Sequence, residues 1–290
     1  MNAAPVQRYV ESQRVGISYW DWGNEDAATL VLVHGGRDHA RSWDRIAEAF
    51  RDTHHVVAPD LRGHGDSDWT PGGNYGLPDN ALDVVRVIEE AGSPALVVAH
   101  SYGGSVCLVA AGTYPEHFAG LAALEGTHSL NPMEEERVGP GWLRRWGDRL
   151  RGFEGKEPRV YASLDEAAER MKEANPRLPD DLVPHLAEHA ARKVDGGYAW
   201  KFDPWVNGRM SMELRRDELP AFWEAVTCPV LLMTGAESHA RARQHPDAER
   251  HFRQARTVTI TGAGHWMHHD QADQVVGELR GFFGGVSRER

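Results

Sequence analysis

The stretch Ala95-Leu-Val-Val-Ala-His-Ser101-Tyr-Gly-Gly104 decides the fold of this chain. An apolar run over 95–99 stops at a serine that has Ala99 two positions before it and Gly103 two positions after it. A helix-like run follows at once, over 105–112. This succession predicts a strand, a turn too tight for bulky flanking residues, and a helix. Such a turn lifts the Ser101 Oγ clear of the sheet edge and places the next amide at a helix N-terminus, where it can bind an anion.

Short apolar runs recur along the chain, and helical patterns follow most of them. The predicted buried strands are 29–33, 55–58, 95–99, 121–124, 229–233 and 257–260. The predicted core helices are 42–50, with Ser42 as its N-cap, 77–91, 105–112 and 273–283. Continuous apolar strands that alternate with helices predict a parallel sheet covered on both faces. The opening segments 6–10 and 16–22 alternate in polarity, which predicts an antiparallel edge.

Between about residues 126 and 220 this rhythm breaks. The segment is charged and rich in tryptophan, with helical patterns at 164–175 and 181–193 and no clear buried strand. We therefore predict a core domain formed by 1–126 and 221–290. A mostly helical sub-domain, 127–220, is predicted to cover the C-terminal edge of the sheet.

The composition limits the classes of partner. The 290 residues carry a formal net charge of −11, which argues against binding to nucleic acid or to an anionic membrane. The only two cysteines, Cys107 and Cys228, lie in apolar surroundings, which indicates reduced thiols. The N-terminus lacks the apolar core of a signal peptide, and no apolar run approaches the roughly 20 residues of a membrane span. A cytoplasmic protein is predicted, with its oligomeric state left open.

Polar residues follow several predicted strands, at the edge where open parallel sheets place their active sites. Four residues lie at four different strand ends: His34, Ser101, Glu125 and His265. A serine hydroxyl needs a base to become a nucleophile, and an imidazole suits that role near neutral pH. The imidazole needs a carboxylate to fix its tautomer, and the oxyanion needs amide donors. Gly36 and Tyr102 stand where their amides can serve as those donors.

Four motifs occur in a fixed order along the chain. They are His34-Gly35 with Trp43 downstream, Pro59-Asp-Leu-Arg-Gly-His-Gly-Asp-Ser67, His100-Ser-Tyr-Gly-Gly104 and Gly262-Ala-Gly-His265. The ordered set resembles the α/β-hydrolase superfamily, in its capped branch similar to epoxide hydrolases, haloalkane dehalogenases and serine hydrolases. The resemblance spans nearly the whole chain outside the insertion. It implies a mostly parallel eight-stranded sheet with helices on both faces and a helical cap inserted after the sixth strand. It also implies Ser101 as nucleophile, His265 as base, and the Gly36 and Tyr102 amides as the oxyanion hole.

The chain departs from the family pattern in two places. Ala99 stands where many relatives have the first glycine of the turn, and Ser238 stands where many have the triad aspartate. Two carboxylates are candidates for the missing acid. Glu237 is adjacent in sequence, whereas Glu125 ends the sixth strand, where haloalkane-dehalogenase-like relatives place their acid. We favour Glu125 and keep Glu237 as the alternative.

The type of nucleophile narrows the chemistry. Dehalogenases and epoxide hydrolases of this branch use an aspartate at the turn, because water can cleave the ester it forms but not the ether that a serine would form. Ser101 therefore predicts acyl transfer: hydrolysis of an ester, lactone, thioester or amide, or cleavage of a carbon–carbon bond. We favour a carboxylic ester or lactone of a moderately sized hydrophobic small molecule, cleaved without cofactor or metal. The adjacent His268 and His269 are interpreted as helix-entry residues rather than metal ligands.

Two other functions stay open. The first is hydrolysis of a carbon–carbon bond in β-diketone-like ring-cleavage products. Those substrates carry a carboxylate and require an arginine, for which the insertion offers Arg144, Arg145, Arg149 and Arg209. The second is a ligand-binding module with little turnover, which the serine at position 238 favours.

Overall fold

The strands of the protein form two sheets in a computed structural model that describes residues 3–128, 139–208 and 213–286. The strands are β1 Val6–Ser12, β2 Val15–Asp21, β3 Thr29–Val33, β4 His55–Pro59, β5 Ala95–His100, β6 Phe118–Leu124, β7 Val160–Tyr161, β8 Ala191–Val194, β9 Gly197–Trp200, β10 Val230–Gly235 and β11 Ala255–Ile260. The helices are α1 Asp44–Phe50, α2 Leu77–Ala91, α3 Tyr102–Thr113, α4 Gly139–Arg151, α5 Leu164–Ala174, α6 Val183–Ala190, α7 Leu219–Ala225, α8 Met267–Asp270 and α9 Ala272–Val286.

The larger sheet has eight strands in the order β1-β2-β4-β3-β5-β6-β10-β11. The six strands β4, β3, β5, β6, β10 and β11 run parallel to one another. At the other edge, β1 pairs with β2 and β2 pairs with β4 in antiparallel fashion. The predicted mostly parallel sheet with an antiparallel edge is thus confirmed. Because the carboxyl ends of parallel strands share one edge, the loops after β3, β5, β6, β10 and β11 meet there.

Side chains of the central strands alternate between two cores. In β5, Val97 belongs to a core shared with α2, α3 and α7, and Leu96 and Val98 belong to one shared with α1 and α9. Alternation places successive residues on opposite faces, and an apolar residue at every position keeps both faces dry. This double burial holds the strand that precedes Ser101 in place. The cysteines Cys107 and Cys228 are buried as free thiols in the first core.

Two local predictions are wrong. The predicted helix over 42–50 begins as a 3-10 turn, Ala40–Trp43, and the α-helical N-cap is Trp43. The Ser42 hydroxyl therefore caps nothing and is buried without a hydrogen-bond partner among the described residues. The predicted helix over 181–193 ends at Ala190, because the chain turns there into β8.

The segment after β6 contains more strand than its sequence indicated. Between 139 and 208 the structure has three helices, α4 to α6, and a three-stranded antiparallel sheet in the order β7-β9-β8. These strands have only two to four residues and are partly exposed, so they carry no continuous apolar run that a sequence pattern would reveal. None of the helices in the described ranges is long and apolar enough to cross a membrane.

Candidate active site

The turn at Ser101 has the strained backbone that its neighbours predicted. Ser101 has φ +51° and ψ −117°, in the region that side-chain-bearing residues avoid, and its amide donates to the Leu124 carbonyl oxygen at 2.7 Å. A Cβ on Gly103 would lie 2.3 Å from the carbonyl oxygen of His34. Only a residue without a side chain therefore lets α3 start this close to β3.

His265 lies between Ser101 and Glu125. The Ser101 hydroxyl donates to His265 Nε2 at 3.0 Å, and His265 Nδ1 donates to Glu125 Oε2 at 2.5 Å. The Glu125 carboxylate is fully buried and the imidazole is 11% exposed, so water competes little for these bonds. The arrangement fixes the imidazole tautomer with its lone pair toward the serine, as proton transfer from the hydroxyl requires.

The Glu125 carboxylate is fixed by two further donors. Its Oε1 accepts from the Gly235 amide at 3.0 Å, and its Oε2 accepts from the Ser238 hydroxyl at 2.7 Å. Ser238 Oγ in turn accepts from the Ala240 amide at 3.1 Å. Glu125 itself has φ +52°, a second strained residue at this edge. The Ser238 hydroxyl thus helps to hold the carboxylate that follows β6.

Glu237 points elsewhere. Its carboxylate pairs with Arg177 at 2.6 Å and is 53% exposed. Arg177 also contacts Asp270 and donates to the Gly262 carbonyl oxygen, so Glu237 helps to tie the insertion to the loop before His265. Of the two candidate acids, the structure brings Glu125 to the imidazole.

The predicted amide donors flank the serine. Gly36 and Tyr102 line the same cavity as Ser101, and a Cβ on Gly36 would lie 3.8 Å from the Cβ of Tyr102. His34 organises the loop before Gly36: its Nδ1 donates to the Gly35 carbonyl oxygen at 2.6 Å and its Nε2 accepts from the Leu61 amide at 2.9 Å. Burial lowers the pKa of His34 to about 3, so this imidazole is neutral and structural.

The cavity around Ser101 has a volume of about 420 Å³ and is more polar than the sequence predicted. Its lining consists of Gly36, Arg37, His64, Tyr75, Ser101, Tyr102, His128, Val206, Asn207, Glu213, His239, Ala240, Arg243, His265 and Trp266. The sequence did not identify Arg37, His128, His239 and Arg243 as cavity residues, because none of them belongs to a recognised motif. The predicted insertion arginines Arg144, Arg145 and Arg149 do not line this cavity, and Arg209 lies outside the described residues.

A second cavity adjoins the first. It has a volume of about 450 Å³ and shares Gly36, Arg37 and Trp266 with the cavity around Ser101. The rest of its wall comes mainly from apolar side chains of the insertion, among them Tyr161, Met171, Leu178, Leu186, Trp200 and Phe202. The apolar, aromatic pocket that the sequence predicted is thus beside the serine rather than around it.

Histidines around the serine are held neutral. Burial lowers the pKa of His64 and of His128 to about 4. Burial also lowers the pKa of His239. His64 Nδ1 donates to the Arg62 carbonyl oxygen, while its Nε2 is buried without a partner in the described part of the chain. These rings are therefore polar neutral groups in the cavity wall at neutral pH.

One group of side chains behind His265 has the spacing of a cation site. Ligand atoms of Asp38, His100 and His268 lie within 4.8 Å of one another. His100 Nε2 donates to the His265 carbonyl oxygen at 2.8 Å, which leaves its Nδ1 toward this group. His268 lies in α8 and stacks on Trp43, and its ring centroid is 4.0 Å from that of the adjacent His269. That the protein uses no metal stays a prediction.

Several known proteins similar to this chain are hydrolases by name. Residues 30–278 match the model of the alpha/beta hydrolase family. The chain is 28% identical over 232 residues to a serine hydrolase-like protein of Danio rerio, covering 78% of this chain and 70% of that protein. It is 27% identical over 214 residues to lipase LipV of Mycobacterium tuberculosis, covering 71% and 74% respectively.

A solved structure gives the same fold. The thioesterase domain from the curacin biosynthetic pathway superposes with a TM-score of 0.83, covering 96% of this chain and 99% of that one. The two sequences are 23% identical, so this likeness concerns the fold alone.

Proposed function

The chain belongs to the alpha/beta hydrolase family, and from that premise we propose that it is a serine hydrolase that cleaves a carboxylic ester or lactone through an acyl-enzyme. The observation that carries the proposal is the continuous hydrogen-bonded relay from Ser101 through His265 to Glu125. The relay ends in a buried carboxylate, as the stabilisation of an imidazolium requires.

In the proposed acylation step, Ser101 Oγ attacks the acyl carbon while His265 Nε2 takes its proton. The carbonyl electron pair moves onto the oxygen, and the amides of Gly36 and Tyr102 stabilise that oxyanion. Glu125 stabilises the imidazolium through Nδ1. Collapse of the tetrahedral intermediate expels the alcohol, which takes the proton from His265 and leaves an ester on Ser101.

Deacylation repeats these roles with water. His265 removes a proton from a water molecule, whose oxygen attacks the acyl-enzyme carbonyl carbon. The second tetrahedral intermediate collapses as His265 returns the proton to Ser101 Oγ, and the carboxylic acid leaves. No group outside the protein and water is needed to balance either step.

The preference for a moderately sized, partly hydrophobic substrate rests on the second cavity. Its apolar wall begins at Gly36 and Trp266, next to the serine, and suits a hydrophobic portion of the substrate. We assign residues 127–220 to a cap over the core, 1–126 and 221–290, because Val206 and Asn207 of this segment line the cavity around Ser101.

A fluorophosphonate probe tests the proposal. It is expected to add once to the wild type, at Ser101, and not to Ser101→Ala, as measured by intact mass. Ser93→Ala, in which an exposed serine far from the cavity is changed, is the matched control and should label like the wild type. A folded wild type that takes up no probe, but is stabilised thermally by small esters that it does not cleave, would contradict the proposal and favour a ligand-binding module.

A further inference from the structure

Two arginines that line the cavity around Ser101 have no side-chain partner among the described residues. The side chains of Arg37 and Arg243 form no ion pair and no hydrogen bond with any residue in the described ranges. Arg37 also has φ +61°, a conformation that a side-chain-bearing residue keeps only where its surroundings impose it. Both arginines are exposed and their guanidinium groups are permanently charged, so their N–H donors are available to an anion that enters the cavity.

The sheet order places these arginines on opposite sides of the serine. Arg37 follows β3, and Arg243 ends the 3-10 turn Arg241–Arg243 after β10. Ser101 follows β5, which lies between β3 and β10 in the sheet. The loops that carry the two arginines therefore lie on opposite sides of Ser101 along this edge of the sheet, and both arginines line its cavity.

Two carboxylates, that of Glu213 in the cavity wall and that of Glu125 behind His265, already accept hydrogen bonds. Glu125 is bonded to Gly235, Ser238 and His265. The buried Glu213 carboxylate accepts from the Leu77 amide at the start of α2 at 3.1 Å. Burial lowers the pKa of His64 and of His128, and the charge of Arg37 adds to the effect at His64 and that of Arg243 to the effect at His128.

We propose that the substrate carries a carboxylate, in its acyl or its alcohol portion, that is held by Arg37 or Arg243. The inference rests on the proposed ester hydrolysis and names its substrate class. Arginine binds carboxylates through two parallel N–H donors, which orients as well as attracts them. The formal net charge of −11 disfavours anions around the protein as a whole, whereas the two arginines offer an anion local positive charge beside Ser101.

Matched esters of one acyl length test the proposal. 4-Nitrophenyl hydrogen adipate and 4-nitrophenyl hexanoate differ in a terminal carboxylate of the acyl portion; 3-(hexanoyloxy)benzoate and phenyl hexanoate differ in a carboxylate of the alcohol portion. The measured quantity is the ratio of kcat/KM for the anionic ester to that for its neutral partner. We expect a wild-type ratio above one for at least one pair. Either Arg37→Gln or Arg243→Gln should lower this ratio about tenfold, which is the effect expected from the loss of one charge-assisted hydrogen bond.

Arg241→Gln, in the same 3-10 turn but outside the cavity wall, is the control and should keep the wild-type ratio. Added salt should lower the ratio in the wild type, because it screens the arginines. Ratios at or below one for both pairs, or ratios that neither arginine variant changes, overturn the proposal. Failure of the serine hydrolase assignment looks different: no probe adduct forms on Ser101, and neutral and anionic esters are both left intact.

Discussion

Glu125→Gln is expected to inactivate the relay by reversing a hydrogen bond. The Gly235 amide donates to Oε1 in the wild type, so the amide oxygen of the glutamine is fixed there and its NH₂ group takes the place of Oε2. That NH₂ group then faces His265 Nδ1, which must accept rather than donate. The imidazole consequently carries its proton on Nε2, toward Ser101, and cannot serve as a base.

The expected loss in kcat is about 10³–10⁴-fold, the size seen when the triad aspartate of a serine protease becomes an amide with its geometry intact. It corresponds to about 4–5.5 kcal/mol of transition-state stabilisation. Glu237→Gln removes an ion pair that is half exposed and makes no contact with His265, so its effect should stay within a few-fold.

Both variants would be assayed by steady-state hydrolysis of a neutral 4-nitrophenyl ester and by the rate of fluorophosphonate labelling. Far-UV circular dichroism and thermal melting would establish that each is folded. Activity of Glu125→Gln within tenfold of the wild type would refute the reasoning from the tautomer. A severe loss in Glu237→Gln, with Glu125→Gln active, would identify the other carboxylate as the acid.

Further predictions concern the supports of the site. Ser238→Ala removes the hydroxyl bond to Glu125 and should lower kcat/KM about tenfold without loss of fold, as steady-state assays would show; an unchanged rate would mean that Ser238 does not position the acid. Gly103→Ala places a Cβ 2.3 Å from the His34 carbonyl oxygen and should cost about 1–3 kcal/mol of unfolding free energy, measured in urea. Burial lowers the pKa of His64 to about 4, below its ordinary value of about 6.5, so unfolding takes up a proton between these values. The free energy of unfolding should therefore fall as the pH falls through this window, and fall less in His64→Gln; equal slopes for the two proteins would contradict this.

The sheet was predictable from sequence because its strands are buried on both faces. The predicted strand 29–33 and helix 77–91 have the same first and last residues in the structure. An uninterrupted apolar run is stable where both of its faces are buried, and a regular apolar helix face is stable where it packs on the sheet. The strands β7 to β9 were missed because they are short and partly exposed, and pair with one another rather than with the core. Ser42 failed as a cap because the chain enters α1 through a 3-10 turn.

The sequence by itself determined which residues stand at strand ends, since hydrophobic pattern and turn residues are local properties of the chain. It thereby singled out Ser101, His265 and Glu125 as candidates for one edge. Only the tertiary structure decided how the two candidate acids differ. Glu125 and Ser238 are 113 positions apart, and the contact between them exists only because β6 and β10 are neighbours in the sheet. The charges of Arg37 and Arg243 likewise become a feature of one cavity through strand order, which no local pattern encodes.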